Sequence, residues 1–477
     1  MILKPCLVLG LVGFFPLAQA YPKWFVARQT TAGSSQATAT TSASASASEP
    51  PVVSYATSAP HTPFSGTALV TGALNASSVG TNITSQPVSP AATTYPSNGQ
   101  LQNPEPAPYV PAGGVGTNGT TPTYNAKSDF DYESLALALY QEYIELDLFR
   151  DGLARFSDAE FKAAGLNAED RYLIQFMAQQ EVGHATMLTN ILGANAPKQC
   201  TYNYPYTTVA EFLDFCQKLT RFGESGVYGF LAHLDSREAA TLLTQSITTE
   251  ARQQMIFRQF EGLFPMPVWF EVGIPQSWAW TLLAPFISSC PENQTRLAWE
   301  NFPALWILNQ PNPARVNASA GFNETLGPGI NALNSTKVTG SAACINNTTP
   351  GSSCSPAITN NRTIPLSYPG RRVWFQWESP GKPVGPNNSY VTTSSAGTPK
   401  YVAWVTQLNV TYSSLTVSNN SSIGWTTQPS LDTYAGDPAI NGTMFVAITD
   451  DDIYLTPFNI SLINPHVVAG PAIYQAG

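Results

Sequence analysis

Hydrophobic residues recur at every third or fourth position through four long segments between residues 128 and 260. This spacing places them on one face of an α-helix, so the sequence predicts four amphipathic helices packed around a shared core. Ser128 and Asn167 are suited to cap the first two helices, and Gly152 and Gly193 to end them. The predicted core-facing stripes are Leu135, Leu139, Glu142, Leu146 and Phe149; Leu173, Met177, Glu181, His184, Leu188 and Ile191; Leu213, Thr220, Glu224, Val227 and Leu231; and Leu243, Ser246, Glu250, Gln253, Phe257 and Phe260.

A different pattern follows the fourth helix. The apolar segment PQSWAWTLLAPFISSC predicts a fifth helix that ends near Cys290. Beyond Pro291 the helical periodicity fades, and short runs of aromatic and β-branched residues take over: RRVWFQW, KYVAWVTQLNVTY and GTMFVAITDDDIYL. Such runs are typical of β-strands. The predicted fold class is therefore mainly α, a four-helix bundle with an appended β-rich region that forms a small sandwich or a sheet packed against the bundle.

The amino-terminal part of the chain has neither pattern. Its first twenty residues, MILKPCLVLGLVGFFPLAQA, combine one lysine, a short apolar run and an Ala-x-Ala site, which predicts a secretory signal peptide. The Ser/Thr/Pro-rich sequence that follows has too few large apolar residues to offset the entropy of ordering. The predicted domains are a signal peptide at 1–20, a disordered stalk at 21–127, the helical bundle at 128–292 and the β-rich region at 293–477.

Glycosylation acceptors of the form Asn-x-Ser/Thr are frequent and support export, so we expect an extracellular or cell-wall protein. None lies between Asn118 and Asn293, which indicates that this interval forms the compact core. The predicted glycosylation sites are Asn75, Asn82, Asn118, Asn293, Asn317, Asn323, Asn334, Asn361, Asn409, Asn441 and Asn459.

Charge narrows the range of partners. The 22 basic and 31 acidic residues give a formal net charge of -9, and no cluster of Lys or Arg is present to attract a phosphate backbone. Nucleic acid is therefore excluded as a partner, and no membrane anchor is expected because no segment after the signal peptide has the roughly 20 apolar residues of a membrane helix. A cell-wall polysaccharide is a candidate partner, through aromatic residues such as Trp374, Trp377 and Trp404. The oligomeric state is not indicated.

Five cysteines remain after removal of the signal peptide, in a compartment that favours disulfides. Cys344 and Cys354 enclose a short loop and are expected to pair. A bond between Cys200 and Cys290 would tie together the two ends of the helical region. Cys216 lies within a predicted helix and is expected to act as a small buried hydrophobe.

Each of the four predicted helices carries a glutamate near the middle of its apolar stripe: Glu142, Glu181, Glu224 and Glu250. His184 follows Glu181, and Gln253 follows Glu250, by three positions, so each pair shares a helix face. Burying a carboxylate without a partner costs on the order of several kcal/mol. A bundle that holds four such carboxylates would have to protonate or hydrate some of these groups.

Bound metal removes that difficulty, because carboxylates and imidazole on facing helices form the cage that suits two iron or manganese ions. Two alternatives stay open. The glutamates could lie at the exposed edges of their stripes, and Glu145, one turn after Glu142, could be the inward-facing residue of the first helix.

The order Glu, Glu-x-x-His, Glu, Glu-x-x-His belongs to the ferritin-like superfamily. The segments QEVGHATML, ESGVYGFLAHL and SITTEARQQMIFR resemble its secreted fungal and plant branch, and the chain to its end, ITDDDIYLTPFNISLINPHVVAGPAIYQAG, is similar to fungal stress-response and late sexual-development proteins. The resemblance implies a ferritin-like bundle in which Glu142, Glu181, His184, Glu224 and Glu250 are metal ligands. It implies a histidine where this chain has Gln253, and an amide is at best a weak ligand.

Three hypotheses follow. The first is a secreted, glycosylated stress- or development-response protein whose di-metal site is partly degenerate and lacks robust catalysis. It predicts no stoichiometric metal. The second is a di-iron or di-manganese oxidoreductase that acts on oxygen, peroxide or Fe(II), with two bound ions. The third is a structural glycoprotein or a polysaccharide-binding protein of the cell wall.

Overall fold

The computed structural model describes residues 124–476, with gaps at 295, 312–366, 419–421 and 438–441, and a few isolated positions between 90 and 103. The chain divides into two units, Met1–Gln100 and Leu101–Gly477, and every helix and strand named below lies in the second. Several predictions concern residues outside the described part: the signal peptide, almost all of the stalk, the Cys344–Cys354 pair, and the glycosylation sites Asn75, Asn82, Asn118, Asn317, Asn323, Asn334, Asn361 and Asn441.

Six α-helices are present in the described part of the chain, four of them long. They are α1 (Asp129–Arg155), α2 (Asp158–Ala163), α3 (Ala168–Leu192), α4 (Val209–Leu231), α5 (Arg237–Phe260) and α6 (Gln276–Leu283). Helices α1 and α3 pack along each other, α4 and α5 form a second pair, and α1 also contacts α4. This is the predicted bundle of four helices, with the additional short helix α2 between α1 and α3.

Side-chain caps define where the helices begin, as the sequence indicates. The Ser128 hydroxyl accepts a hydrogen bond from the backbone N–H of Asp131 at the start of α1. Asn167 and Asp170 form a reciprocal capping box at the start of α3, with both distances 2.9 Å. Each cap satisfies backbone N–H groups that have no partner within the helix. Gly193 ends α3 as predicted.

Two details of the predicted helices are wrong. Gly152 does not end α1, which continues to Arg155. Its small size instead admits the ring of Phe212 on α4, since a Cβ atom there would lie 2.2 Å from that ring. Leu173 is 39% exposed and its neighbour Ile174 occupies the core position, whereas Met177, Glu181, Leu188 and Ile191 of the predicted stripe are buried as expected.

The predicted fifth helix is shorter than expected. Helix α6 ends at Leu283 and is followed by one 3₁₀ turn and by strand β2 (Ile287–Ser289), which pairs with β1 (Thr201–Tyr202). A disulfide between Cys200 and Cys290 joins the residues that flank these two strands. Cys216 is buried as a free thiol.

The carboxyl-terminal region is β-rich, as predicted. Its remaining strands are β3 (Leu305–Ile307), β4 (Arg372–Trp377), β5 (Pro383–Val384), β6 (Tyr390–Val391), β7 (Tyr401–Thr406), β8 (Asn409–Ser414), β9 (Thr416–Val417), β10 (Ile423–Thr427), β11 (Thr443–Thr449) and β12 (Val467–Gln475). One four-stranded sheet has the order β12-β11-β7-β8, a second has the order β3-β4-β10-β9, and β5 pairs with β6. Every pairing in these sheets is antiparallel.

In the sheet β12-β11-β7-β8, the central strands β7 and β11 are buried on both faces, and their side chains alternate between the two sides. On β7, Ala403 and Val405 join the core of the helical bundle, whereas Val402 and Trp404 pack toward the second sheet. The helices and the two sheets therefore form three successive layers.

The aromatic residues considered for polysaccharide binding belong to this β-rich core. Trp374, Trp377 and Trp404 are 8%, 7% and 0% exposed, so they do not offer a stacking surface for sugars. No described helix is both long and apolar enough to cross a membrane.

Candidate metal centre

Four of the predicted ligands meet inside the bundle: Glu142 on α1, Glu181 and His184 on α3, and Glu250 on α5. One ligand atom from each lies within 4.8 Å of all the others, which is the spacing expected of groups that share one ion. The three carboxylates are buried, with residue exposures of 3%, 0% and 2%. The imidazole of His184 is 11% exposed and forms the solvent-facing edge of the cluster.

Nδ1 of His184 is directed at the carboxylates. It lies 3.0 Å from Oε2 of Glu181, 3.2 Å from Oε2 of Glu142 and 3.6 Å from Oε1 of Glu250. Residues 181 and 184 are three apart on α3, so the helix itself brings their side chains to the same level.

The opposite nitrogen of the ring is held by Thr249. The Thr249 hydroxyl donates to the carbonyl oxygen of Ser246 at 2.8 Å, and its Oγ1 lies 3.0 Å from Nε2 of His184. Because that hydroxyl has one hydrogen, its oxygen accepts from Nε2–H. This bond fixes the ring orientation and leaves Nδ1 as the ligand atom that faces the carboxylates.

Burial makes the cluster electrostatically costly without a cation. It raises the pKa of Glu142, and the charge of Glu181 adds to the effect. It raises the pKa of Glu250 as well, with further contributions from Glu142 and Glu145. For His184, burial by itself lowers the pKa, but the hydrogen bond and charge of Glu181 reverse this and raise it above the usual value. All three shifts favour added positive charge, supplied by protons or by a metal ion.

The donor set fits one divalent transition ion. Carboxylate oxygens and an imidazole nitrogen are ligands that suit iron and manganese. Buried acceptor atoms also lack a hydrogen-bond partner among the described residues, namely Oε1 of Glu250, Oε2 of Glu145 and Oε1 of Gln253. Unsatisfied buried acceptors are rare in folded proteins, and a bound ion would satisfy the one on Glu250, a member of the cluster.

Glu142 and Glu145 are both buried, so the glutamates of the first helix do not lie at an exposed edge, and both face inward. Glu142 reaches the cluster. Glu145 is fully buried one turn away, where its Oε1 accepts a hydrogen bond of 2.7 Å from Gln141. Burial and the charge of Glu181 raise the pKa of Glu145.

The structure does not bring Glu224 into the cluster. Its Oε2 accepts a hydrogen bond from the guanidinium of Arg221, and its Oε1 accepts one of 3.1 Å from the hydroxyl of Tyr228. Burial raises the pKa of Glu224 to about 7, although the charge of Arg221 opposes that shift. The signal for this pairing is present in the sequence, because Arg221 precedes Glu224 by three positions and shares its helix face.

Gln253 lies beside the cluster as a hydrogen-bond donor. Its amide Nε2 donates to Oε1 of Glu181 at 2.5 Å and to Oε1 of Gln180 at 3.2 Å. The sequence identified Gln253 correctly as an inward-facing residue, but gave no indication of Thr249 or Gln180 as neighbours of the site.

Comparisons with known proteins agree with this geometry. Residues 129–263 match a family model described as a ferritin-like domain. The chain is also 54% identical over 374 residues to Protein rds1 of the fission yeast Schizosaccharomyces pombe, an alignment that covers 78% of this chain and 87% of that protein. The chain therefore belongs to the family of Protein rds1, and its helical bundle is a ferritin-like domain.

Proposed function

We propose that this protein binds a single iron or manganese ion in its ferritin-like domain and acts outside the cell as a glycoprotein. One observation supports the metal site above all. Three buried carboxylates and the Nδ1 atom of His184, contributed by α1, α3 and α5, converge within 4.8 Å. A bound ion would supply redox chemistry toward oxygen or peroxide.

The residues of the chain itself have separate roles in this proposal. Glu142, Glu181 and Glu250 provide the negative charge that attracts and holds a cation. His184 would hold the ion through an unprotonated Nδ1, so protons and metal would compete for the same site. Thr249 keeps the ring in its binding orientation.

Location and physiological role rest on sequence features. The predicted signal peptide and the acceptor sites support export. Among the described acceptors, Asn293 is exposed and Asn409 and Asn459 are partly exposed, as attachment of a glycan requires. The resemblance to fungal stress-response and sexual-development proteins supports a role in stress response or sexual development. We expect no sustained catalytic turnover of the kind that a di-metal oxidoreductase performs.

The test is the metal content of the full-length protein, purified without chelators from the medium of a fungal expression host. Inductively coupled plasma mass spectrometry should find about one iron or manganese ion per chain. A Glu181→Ala/His184→Ala variant should contain none. A Glu238→Ala variant is the matched control, because Glu238 forms its ion pair with Lys127 away from the cluster. Wild-type protein that contains no metal, and gains no thermal stability from added Fe(II) or Mn(II), would refute the proposal.

A further inference from the structure

The ferritin-like resemblance implies two ions, but the residues present fit only one. We infer that two hydrogen-bond donors of the protein, the guanidinium of Arg221 and the amide of Gln253, permanently take the place of the second ion. This inference rests on the proposed function, since it concerns the second half of the same site. The centre would then be mononuclear because these two donors engage the remaining ligand atoms, and not merely because one ligand has been lost.

Arg221 binds the carboxylate of Glu224, which is the α4 residue expected to hold the second ion. The guanidinium contacts Glu224 through one terminal nitrogen and Glu271 through the other. Arg221 is 3% exposed and Glu224 is fully buried, so water screens this pair little. The positive charge that Glu224 would otherwise take from a metal is thus already provided by a side chain that stays protonated.

Gln253 donates a hydrogen bond to the second carboxylate oxygen of Glu181. In a two-ion centre that carboxylate would bridge, with one oxygen for each ion. Here its Oε2 faces His184 at 3.0 Å, and its Oε1 accepts a hydrogen bond of 2.5 Å from the Gln253 amide. The amide nitrogen carries hydrogens and has no lone pair to offer a metal.

Among the described residues, Glu145 is a further buried carboxylate near this half of the site. It lies one turn after Glu142 on α1 and is fully buried. Its Oε1 is engaged by Gln141, whose amide also donates to the carbonyl oxygen of Leu219 on α4 at 3.2 Å. One carboxylate oxygen is insufficient for an ion that prefers four or more ligands, so a second ion has no adequate ligand set here.

A matched pair of substitutions tests the inference with Co(II) as the probe, in the full-length protein. Glu224→Gln and Glu250→Gln both replace a buried glutamate with its amide. We expect wild-type protein to bind one Co(II) in isothermal titration calorimetry. Glu224→Gln should retain that stoichiometry, with a dissociation constant within about threefold of the wild-type value. Glu250→Gln removes a ligand, so its affinity should fall by at least about 10- to 100-fold, which is the loss that removal of an outer-shell partner alone causes. Wild-type protein with two Co(II), or loss of an ion in Glu224→Gln, would overturn the inference and leave the proposed metal site standing. Wild-type protein with no Co(II) would overturn both.

A second experiment attempts to restore the missing position. The double variant Arg221→Gln/Gln253→His frees Glu224 and adds the absent imidazole, so it should bind two Co(II). The control, Arg221→Lys/Gln253→His, keeps a buried positive charge beside Glu224 and should bind one. Circular dichroism melting curves confirm that each variant is folded before titration. One Co(II) in a folded Arg221→Gln/Gln253→His variant would show that these two residues are not what excludes the second ion.

Discussion

Removal of the Thr249 hydroxyl should weaken metal binding without removing a ligand. In Thr249→Val the side chain keeps its shape and loses the oxygen that lies 3.0 Å from Nε2 of His184. A typical hydrogen bond contributes about 1 kcal/mol, and His184 is 11% exposed, so water can partly replace the lost acceptor. We therefore expect the free energy of unfolding to fall by about 1 kcal/mol.

The effect on metal affinity should be larger than the effect on stability. Outer-shell partners of a ligating histidine typically contribute about 10- to 100-fold in affinity, because they fix the tautomer and the ring orientation. The assay is titration of metal-free protein with Co(II), followed by the visible absorption of the bound ion. Thr249→Val should raise the dissociation constant by at least about tenfold, which corresponds to roughly 1.4 kcal/mol.

Thr249→Ser is the rescue control, since it retains the hydroxyl and the bond that this hydroxyl donates to Ser246. Its dissociation constant should lie within about threefold of the wild-type value. If the valine variant binds Co(II) as tightly as the serine variant, the assigned orientation of His184 is wrong and Thr249 has no role in the site.

Three further predictions concern stability. A Cys200→Ala/Cys290→Ala variant should lose up to about 4–5 kcal/mol of unfolding free energy in urea denaturation, because the bond spans 90 residues and restricts the unfolded chain; a loss below about 1 kcal/mol would show that this constraint is unimportant. Gly152→Ala should destabilise the protein by about 1–3 kcal/mol through overpacking against Phe212, and Gly183→Ala, where the added Cβ meets no atom within 4 Å, should not. The raised pKa values of Glu142, Glu250 and His184 mean that the folded, metal-free state binds extra protons. The contribution of the two carboxyl groups to stability is therefore fully present below about pH 4.5 and that of His184 below about pH 6.5, and each is lost as the pH rises through the folded-state pKa. In thermal melts of metal-free protein, Glu250→Gln should reduce that loss, and an unchanged pH dependence would contradict the assigned cause.

Local sequence was sufficient to locate the helices. Capping residues such as Ser128 and Asn167 act on backbone groups within one turn, so their effect depends little on the rest of the fold. Local sequence does not determine the inward residue at this position of α3, because Leu173 and Ile174 are both apolar and only the packing of α1 against α3 determines which one is buried.

The candidate ligands were identifiable because a charged residue within an apolar stripe contradicts the helical pattern. That argument treats Glu142, Glu181, Glu224 and Glu250 alike. It cannot tell which of them share an ion, since this depends on distances between helices and on competing partners such as Arg221. The burial of Arg221 does not follow from the sequence pattern, because a single arginine on a helix is ordinarily exposed.

By itself, the sequence determined the bundle, the β-rich region and the set of inward-facing polar residues, because periodicity, capping and residue chemistry are properties of short segments. The tertiary structure alone decided that Glu142, Glu181, His184 and Glu250 meet within 4.8 Å while Glu224 pairs with Arg221. It also decided that Trp404 is core and that Thr249 holds His184. These outcomes depend on contacts between residues far apart in the chain, and their relative energies are settled only when the helices and sheets have packed.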